Sequence, residues 1–188
     1  MRSSIVTFIF ILSGLALMAQ PMTKSILLGQ SNINWKGYKL TGSHEGNIKF
    51  KSGTLTFNGQ ALNGGELLVD MNSIDCTDMQ GGGKAKLEGH LKSDDFFGVA
   101  AHPTASIKFT KVVSRGTEGE FKVTANITIK NITKEIKFNA TAKDGMATAN
   151  IKLDRSDFDI KYGSGSFFDN LGDKTIYDEF DLAVTLKF

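Results

Sequence analysis

The three histidines of the chain are the first residues to test for metal chemistry. They are His44, His90 and His102. Zinc ligands usually recur at short, fixed spacings along the chain, and these histidines form no His-x-His or His-x3-His pair. The spacing therefore predicts no metal site. We expect a structural hydrogen-bonding role for His90, which lies in a predicted helix.

Acidic residues occur in two groups that invite a test for acid–base catalysis. Asp94-Asp95 form one group, and Asp154, Asp157 and Asp159 form the other. Glycoside hydrolysis needs two carboxyl groups across a cleft, whereas Asp157 and Asp159 alternate with apolar residues and are predicted to face solvent together. The sequence also has no Gly-x-Ser-x-Gly elbow and no phosphate-binding Gly-x4-Gly-Lys-Ser/Thr loop. We therefore predict that the protein is not an enzyme and uses no cofactor.

Composition and charge limit what the chain could bind. Of its 188 residues 40% are hydrophobic, and 22 Lys and Arg against 20 Asp and Glu give a formal net charge of +2. A nucleic-acid-binding domain would carry a clustered basic face, so we predict no nucleic-acid partner. The single cysteine, Cys76, excludes an intramolecular disulfide.

The N-terminus has the features of an export signal. Arg2 precedes an apolar stretch from Ile5 to Met18, and Ala19 supplies a small residue at the expected cleavage site. This stretch has the length of a signal-peptide h-region and is short for a membrane-spanning helix; an uncleaved anchor is the alternative. We predict a signal peptide over residues 1–19, a periplasmic mature chain over residues 20–188, and no membrane span after cleavage.

Apolar and polar residues alternate along most of the mature chain. The odd-numbered residues from Phe121 to Ile129 are all apolar, and residues 136–142, 147–153 and 180–188 repeat the pattern. A period of two is typical of an antiparallel strand with one wet face. Further strands are predicted at Asn34–Leu40, Ser43–Phe50, Thr54–Gln60, Glu66–Met71 and Ala105–Val113. Such strands must bury their apolar faces together, which favours a closed barrel or a sandwich.

Short turns and two other segments separate these strands. Turns are predicted at Asn58-Gly59, Asn63-Gly64-Gly65, Glu118-Gly119 and Asp144-Gly145, because Gly and Asn supply the positive φ of tight hairpins. Leu87 and Leu91 lie four residues apart, which predicts one short helix over residues 84–91. Residues 161–174 form a long loop, and long loops in compact domains are often functional.

Taken together, the motifs of the mature chain resemble the YceI-like protein family. The matching segments are Trp35, Gly42–Gly46, Gly53–Leu55, Val69–Ile74, Leu87–Phe97, His102–Ala105, Ile127–Lys134 and Phe168–Ile176. Leu87–Phe97 is the most diagnostic of them. His102 stands where the family commonly has an aromatic residue, and Asn131 stands where it has Gly.

The resemblance implies an all-β fold: an antiparallel, lipocalin-like β-barrel of about eight strands with one short helix. Family members bind polyisoprenoid chains, such as isoprenoid quinones or polyprenyl phosphates, and many are periplasmic. The expected partner is therefore an isoprenoid lipid, carried or sequestered in the bacterial envelope. The alternative is a structural or stress-associated envelope protein with a filled barrel and no ligand. The sequence leaves a homodimer open.

Inward residues of the alternating strands would form the wall of the cavity, where repeated Ala would leave volume unfilled. The predicted cavity residues are Ala125, Ile127, Phe138, Ala140, Ala149, Ile151, Leu182 and Val184. Phe167 and Phe168 are expected at the ligand entrance. The predicted contacts for a head group are Lys92, Arg155 and Lys161. Alternation fixes the direction of a side chain but not the free volume, so an open and a filled barrel both fit.

Overall fold

The computed structural model describes residues 20–188 of the chain. The strands are β1 (Met22–Ser25), β2 (Asn32–Lys39), β3 (Gly42–Asn58), β4 (Ala61–Cys76), β5 (Thr104–Ser114), β6 (Glu120–Ile129), β7 (Ile132–Lys143), β8 (Met146–Asp154) and β9 (Ile176–Lys187). The α-helix, α1, is Gly81–Lys92. The predicted signal peptide at residues 1–19 lies outside the described residues.

Eight of the strands close into an antiparallel barrel. Neighbouring strands follow the order β3, β2, β9, β8, β7, β6, β5, β4, and β4 pairs again with β3. Closure removes the free edges at which an open sheet could pair with another chain. Strand β1 is added outside this circle, where Met22 pairs with Phe57 of β3. The predicted all-β barrel with one short helix is confirmed.

Tight hairpins form where the sequence places residues that accept a positive φ. Lys130 and Asn131 have φ of 50° and 62° and connect β6 to β7 as a two-residue turn. Asp144 and Gly145 connect β7 to β8 in the same way. Turns of this kind match the twist of the strands they join. The predicted turns at Asn58-Gly59 and Asp144-Gly145 are confirmed.

The predicted turn at Asn63–Gly65 is wrong, because these residues lie inside β4. Gly65 pairs with Leu55 of β3. A Cβ at Gly65 would lie 2.9 Å from atoms of the Leu55 and Phe109 side chains. The glycine is therefore required by close side-chain packing and not by a change of chain direction.

Strand β3 is longer than the sequence pattern indicated. The break expected between Ser43–Phe50 and Thr54–Gln60 does not occur, and the strand runs for 17 residues. Its pairing with β4 shifts register between Phe50 and Ser52. A bulge bends and twists a strand without ending it, so one strand curves along the barrel where two were predicted.

The predicted alternation of β6 is confirmed. Val123 and Ala125 are both 0% exposed, whereas Lys122 and Asn126, on the opposite face, are exposed. The apolar face of each strand thus packs into the interior of the barrel, and its polar face contacts solvent.

Helix α1 follows β4 and covers one end of the barrel. The predicted helix over residues 84–91 is confirmed, and it begins earlier, at Gly81. None of its residues is buried. Within residues 20–188, no helix is both long and apolar enough to cross a membrane.

Candidate functional site

The end of the barrel beneath α1 holds a cavity of about 340 Å³. Helix α1 contributes Leu87, His90 and Leu91 to its lining. Strands β2 to β6, β9 and the segment after α1 supply the rest: Ile33, Trp35, Gly37, Tyr38, Lys39, His44, Ile48, Val69, Met71, Ile74, Phe96, Phe97, Ala105, Ile127, Ile129, Ile176, Tyr177, Phe180 and Leu182. Most of this wall is aliphatic or aromatic, as in sites that bind apolar ligands.

A second cavity, of about 80 Å³, adjoins the first on the side away from α1. The residues that line both cavities are Ile33, Val69, Ala105, Ile127 and Leu182. They come from five different strands of the barrel. These five side chains therefore form a girdle that separates a larger cavity under the helix from a smaller one deeper in the barrel.

Polar contacts fasten α1 to the end of β4. Lys84 Nζ lies 2.7 Å from Asp75 Oδ1 and 3.6 Å from Glu88 Oε1. Glu88 Oε1 also accepts a hydrogen bond from the Cys76 amide at 2.9 Å. Because Leu87 lines the cavity while no residue of α1 is buried, the helix covers the cavity without filling it.

His44 is held at the cavity wall by Asp78. His44 Nδ1 lies 3.0 Å from one carboxylate oxygen of Asp78, and the other oxygen accepts hydrogen bonds from the Cys76 thiol at 3.0 Å and the Glu45 amide at 3.3 Å. Burial opposes ionisation of Asp78, but the hydrogen bonds from Cys76, His44 and Glu45 outweigh it and lower the pKa of the carboxyl. The His44 ring is thereby oriented with Nδ1 towards the carboxylate.

Cys76 is a structural residue in this arrangement. It is 0% exposed. Burial first, and then the hydrogen bond to Asp78, raise the pKa of the thiol. A thiol that is buried and kept protonated is a poor nucleophile and a poor metal ligand.

The other two histidines each have a buried nitrogen without a hydrogen-bond partner in the described part of the chain: His90 Nε2 and His102 Nδ1. His90 lines the larger cavity, and its ring centroid lies 4.4 Å from that of Tyr162 and 5.5 Å from that of Phe96. His102 lines neither cavity. The hydrogen bond predicted for the His90 side chain does not occur within residues 20–188.

The three cations predicted to contact a head group, Lys92, Arg155 and Lys161, line neither cavity. Lys161 forms an exposed ion pair with Asp159, at 2.6 Å. The cation in the wall of the larger cavity is instead Lys39. The predicted cations lie at the end of α1 and in the segment after β8, whereas the lining cation lies at the end of β2.

Arg155 is buried and stabilises the fold. It is 2% exposed, and its guanidinium donates hydrogen bonds to the carbonyls of Ile160, Ile176 and Tyr177 at 2.8, 2.9 and 3.2 Å. Its Nη2 lies 3.1 Å from Asp178 Oδ1. These contacts fasten the turn that follows β8 to the start of β9, next to the cavity residues Ile176 and Tyr177.

Phe167 and Phe168 lie on the surface, 44% and 50% exposed, in the loop before β9. Neither lines a cavity. Lys161 Nζ lies 5.3 Å from the centre of the Phe167 ring, within the range of a cation–π contact.

The structure distributes the predicted apolar cavity residues over three environments. Ile127 and Leu182 belong to the girdle and line both cavities. Five of the predicted residues line only the smaller cavity: Phe138, Ala140, Ala149, Ile151 and Val184. Ala125 is fully buried and lines neither cavity.

Sequence reasoning did not identify β2 as part of the cavity wall. Trp35, Gly37 and Lys39 occupy alternate positions of β2, and all three line the larger cavity. The available signal was the period of two. A glycine and a lysine obscure this signal, because neither is counted as an apolar residue.

The lining of the larger cavity is suited to binding an apolar ligand. Within the part of the chain described here, no group of three or more His, Cys, Asp or Glu side chains is arranged so that it could hold a metal ion. The larger cavity offers an extensive apolar wall and a few nitrogen-bearing side chains. Such a wall fits a ligand that is mostly hydrocarbon.

Solved structures of similar fold come from several bacteria. BcnA of Burkholderia cenocepacia superimposes with a TM-score of 0.68 at 18% identity, covering 86% of this chain and 98% of BcnA. A polyisoprenoid-binding domain from Saccharophagus degradans, implicated in plant cell wall breakdown, gives 0.57 at 14% identity, covering 87% and 97% of the two chains. The YCEI protein of Campylobacter jejuni gives 0.55 at 15% identity, covering 98% and 92%.

Sequence relatives agree with the structural comparison. A UPF0312 protein of Vibrio parahaemolyticus is 28% identical over 153 residues, which cover 74% of this chain and 77% of the relative. A UPF0312 protein of Azotobacter vinelandii is 38% identical over 52 residues, 28% of this chain and 27% of the relative. The YceI-like domain profile matches residues 26–188, nearly all of the barrel. The chain therefore belongs to the YceI-like domain family.

Proposed function

We propose that the protein binds the hydrocarbon chain of an isoprenoid lipid in the cavity beneath α1. The observation that carries the proposal is the apolar cavity of about 340 Å³ inside a closed YceI-like barrel. Enclosed binding sites for small ligands usually measure roughly 300–1,000 Å³. The cavity is therefore large enough for part of a lipid, and the smaller cavity beyond the girdle extends the same apolar path.

Transfer of a hydrocarbon chain from water into this apolar cavity would supply the binding energy. Each buried methylene group contributes about 0.8 kcal/mol. An isoprenoid chain has no hydrogen-bonding groups, so it leaves no polar group of its own unpaired in an apolar site. Cavities lined by Leu, Ile and Phe side chains stay dry and take up apolar molecules, and most of this wall is of that kind.

The structural neighbours support the same ligand class. The domain from Saccharophagus degradans, described as polyisoprenoid-binding, shares this barrel. At 14% identity this likeness concerns the fold, so ligand binding by the present chain depends on its own cavity. The shared barrel and the apolar lining point to the same class of molecule.

We further propose that the protein is exported and carries or sequesters the lipid in the cell envelope. The apolar segment ending at Ala19 supports export. The mass of the protein recovered from a periplasmic fraction should correspond to a chain that begins at Gln20. Recovery of the intact chain, with Met1, from the membrane fraction would contradict this proposal.

The ligand can be tested with a variant that obstructs the cavity. Gly37 lines the cavity, has no positive φ, and a Cβ built on it meets no atom within 4 Å. A phenylalanine at this position should therefore enter the cavity without straining the backbone. Gly29 has equally open surroundings but lines neither cavity, so Gly29→Phe is the matched control.

Native mass spectrometry of the protein purified from its own host gives the readout. We expect an added mass of an isoprenoid lipid on the wild type and on Gly29→Phe, and its loss from Gly37→Phe. A wild-type protein that is free of lipid, and that takes up no geranylgeraniol when titrated with it, would contradict the proposal. That result would support the alternative of a barrel with a purely structural role.

A further inference from the structure

We propose that Lys39, His44 and His90 form a subsite for the head group of the ligand, and that this subsite selects an anionic, phosphate-type head. The inference rests on the proposed function, because it assigns the polar end of the same cavity. It differs from the sequence prediction, which assigned the head group to cations outside the cavity wall.

Strand pairing brings two of these residues together. Gly37 pairs with His44 and Lys39 pairs with Gly42, in an uninterrupted β2–β3 register. Lys39 and His44 are therefore diagonal neighbours on one face of the sheet, about 7–8 Å apart. Gly37, directly opposite His44, has no side chain to fill the space beside them.

In the described part of the chain, the wall of the larger cavity carries positive charge and no carboxylate. Within the described residues no Asp or Glu lines the larger cavity, and its charged lining residue is Lys39. Lys36 and Lys161 are neutralised by ion pairs with Glu45 and Asp159, whereas Lys39 forms no ion pair within residues 20–188. A ligand with negative charge would complement this end of the cavity.

Both histidines retain a nitrogen for a ligand. Asp78 engages Nδ1 of His44, which leaves Nε2 able to donate a hydrogen bond when the ring is protonated. His90 Nε2 is buried and lacks a partner within residues 20–188. An unpaired buried polar atom is unfavourable. The His90 ring lines the cavity while its Nε2 is enclosed, so a turn of the ring on ligand binding would give Nε2 an oxygen atom of the head group as its partner.

Three ligands that share the same tail distinguish the contribution of the head group to affinity from that of the hydrocarbon chain. They are geranylgeranyl phosphate, geranylgeraniol, and a benzoquinone bearing the geranylgeranyl chain. Isothermal titration calorimetry should show that the wild type binds the phosphate at least tenfold more tightly than the alcohol and the quinone. The variants Lys39→Met and His90→Leu should each weaken phosphate binding about tenfold or more, since each loses a hydrogen bond to a charged group. Their affinity for the alcohol should stay within about twofold of that of the wild type.

Matched controls separate a ligand contact from a structural effect. His102 also has a buried, unpartnered nitrogen but lies outside both cavities, so His102→Leu should leave all three affinities unchanged. Lys86→Met removes an exposed charge from α1 and should have no effect. His90→Leu should leave the Tm of the free protein unchanged or raise it, because it removes an unpaired buried nitrogen. His90→Gln, which keeps a donor, should recover part of the phosphate affinity.

The outcomes distinguish this inference from the proposed function. If the wild type binds none of the three ligands, the proposed function fails and the inference fails with it. If the alcohol or the quinone binds as tightly as the phosphate, or if Lys39→Met and His90→Leu weaken all ligands equally, the head-group subsite alone is overturned.

Discussion

The two ends of the barrel are built from the same kind of strand but differ in what covers their small residues. At the end beneath α1, Gly37 has no atom near the position of a Cβ, and a cavity of about 340 Å³ remains. Towards the other end, Ala125 pairs with Phe109, whose ring contacts Phe138 with centroids 6.0 Å apart. Gly37 thus borders open space, whereas Ala125 lines neither cavity.

The covering element explains the contrast. On the side away from α1 the free volume is smaller, a cavity of about 80 Å³, and strand residues such as Phe121 and Val123 are 4% and 0% exposed. The other end is covered by a helix that has no buried residue and is attached by ion pairs and hydrogen bonds. A helix attached in this way leaves more space beneath it than the packed side chains of the strands leave among themselves.

The largest effect should come from Arg155→Met, which removes the support of the cavity end. Asp178, 14% exposed at its side chain, would lose its cationic partner. Breaking such a buried pair costs about 3–5 kcal/mol, measured as the free energy of unfolding in urea. Lys161→Met, at an exposed pair of the adjacent loop, should change this free energy little. A loss for Arg155→Met as small as the loss expected for Lys161→Met would show that Arg155 does not support the fold.

A pair of substitutions contrasts the two ends directly. Ala125→Phe should lower stability by about 1–3 kcal/mol through overpacking, because Ala125 is fully buried and lines neither cavity. Gly37→Phe introduces an even larger increase in volume but should leave the Tm of the ligand-free protein nearly unchanged. Thermal unfolding followed by circular dichroism gives both values. A strongly destabilised Gly37→Phe variant would mean that the space beneath α1 does not exist in solution.

Asp78→Asn tests the polar network beside the cavity. The pKa of Asp78 is lowered in the folded protein, so its ionised form contributes stability above the unfolded pKa, about 3.9. This contribution is lost as the pH falls through the lower, folded pKa. We expect Asp78→Asn to cost about 1.5 kcal/mol at pH 7 and progressively less below pH 4.

The control for this prediction is Asp169→Asn, which changes an exposed carboxylate in the loop before β9. It should leave the pH dependence of the Tm as it is in the wild type. A cost for Asp78→Asn that is the same at pH 3 and pH 7 would contradict a role for the ionised carboxylate.

The smallest effect on stability is expected for Leu87→Ser. Leu87 lines the cavity from α1 but is not buried, so the substitution should cost less than about 1 kcal/mol. Release of bound lipid to acceptor vesicles should nevertheless become faster, because the cover loses an apolar contact with the ligand. Ala85→Ser, on the exposed part of the same helix, should leave release unchanged.

The barrel was predictable from sequence because its causes are local. An apolar residue at every second position fixes which face of β6 points inward, and Asn131 and Gly145 accept the positive φ that a two-residue hairpin needs. These signals depend only on residues that are adjacent or two apart. The structures that they predict are therefore present in the fold.

Predictions from local sequence were wrong where the role of a residue depends on neighbours that are distant in the sequence. Gly65 resembles a turn residue in the sequence, but the Leu55 and Phe109 side chains leave no room for a Cβ there. Arg155 resembles a cation available to a ligand, but three carbonyls and Asp178 engage its guanidinium. The partners of Gly65 lie on β3 and β5, and those of Arg155 lie on β9 and in the loop before it. The spacing of residues along the chain does not reveal them.

The sequence by itself determined the strands, most hairpins, the helix and the apolar character of the interior. Only the tertiary structure decided where that interior is empty and which polar side chains border the space: Lys39, His44 and His90, from two strands and a helix. The direction in which a strand side chain points is set by the backbone and follows from the period of two. Free volume depends on which side chains meet across the barrel, and that is decided only when the barrel closes.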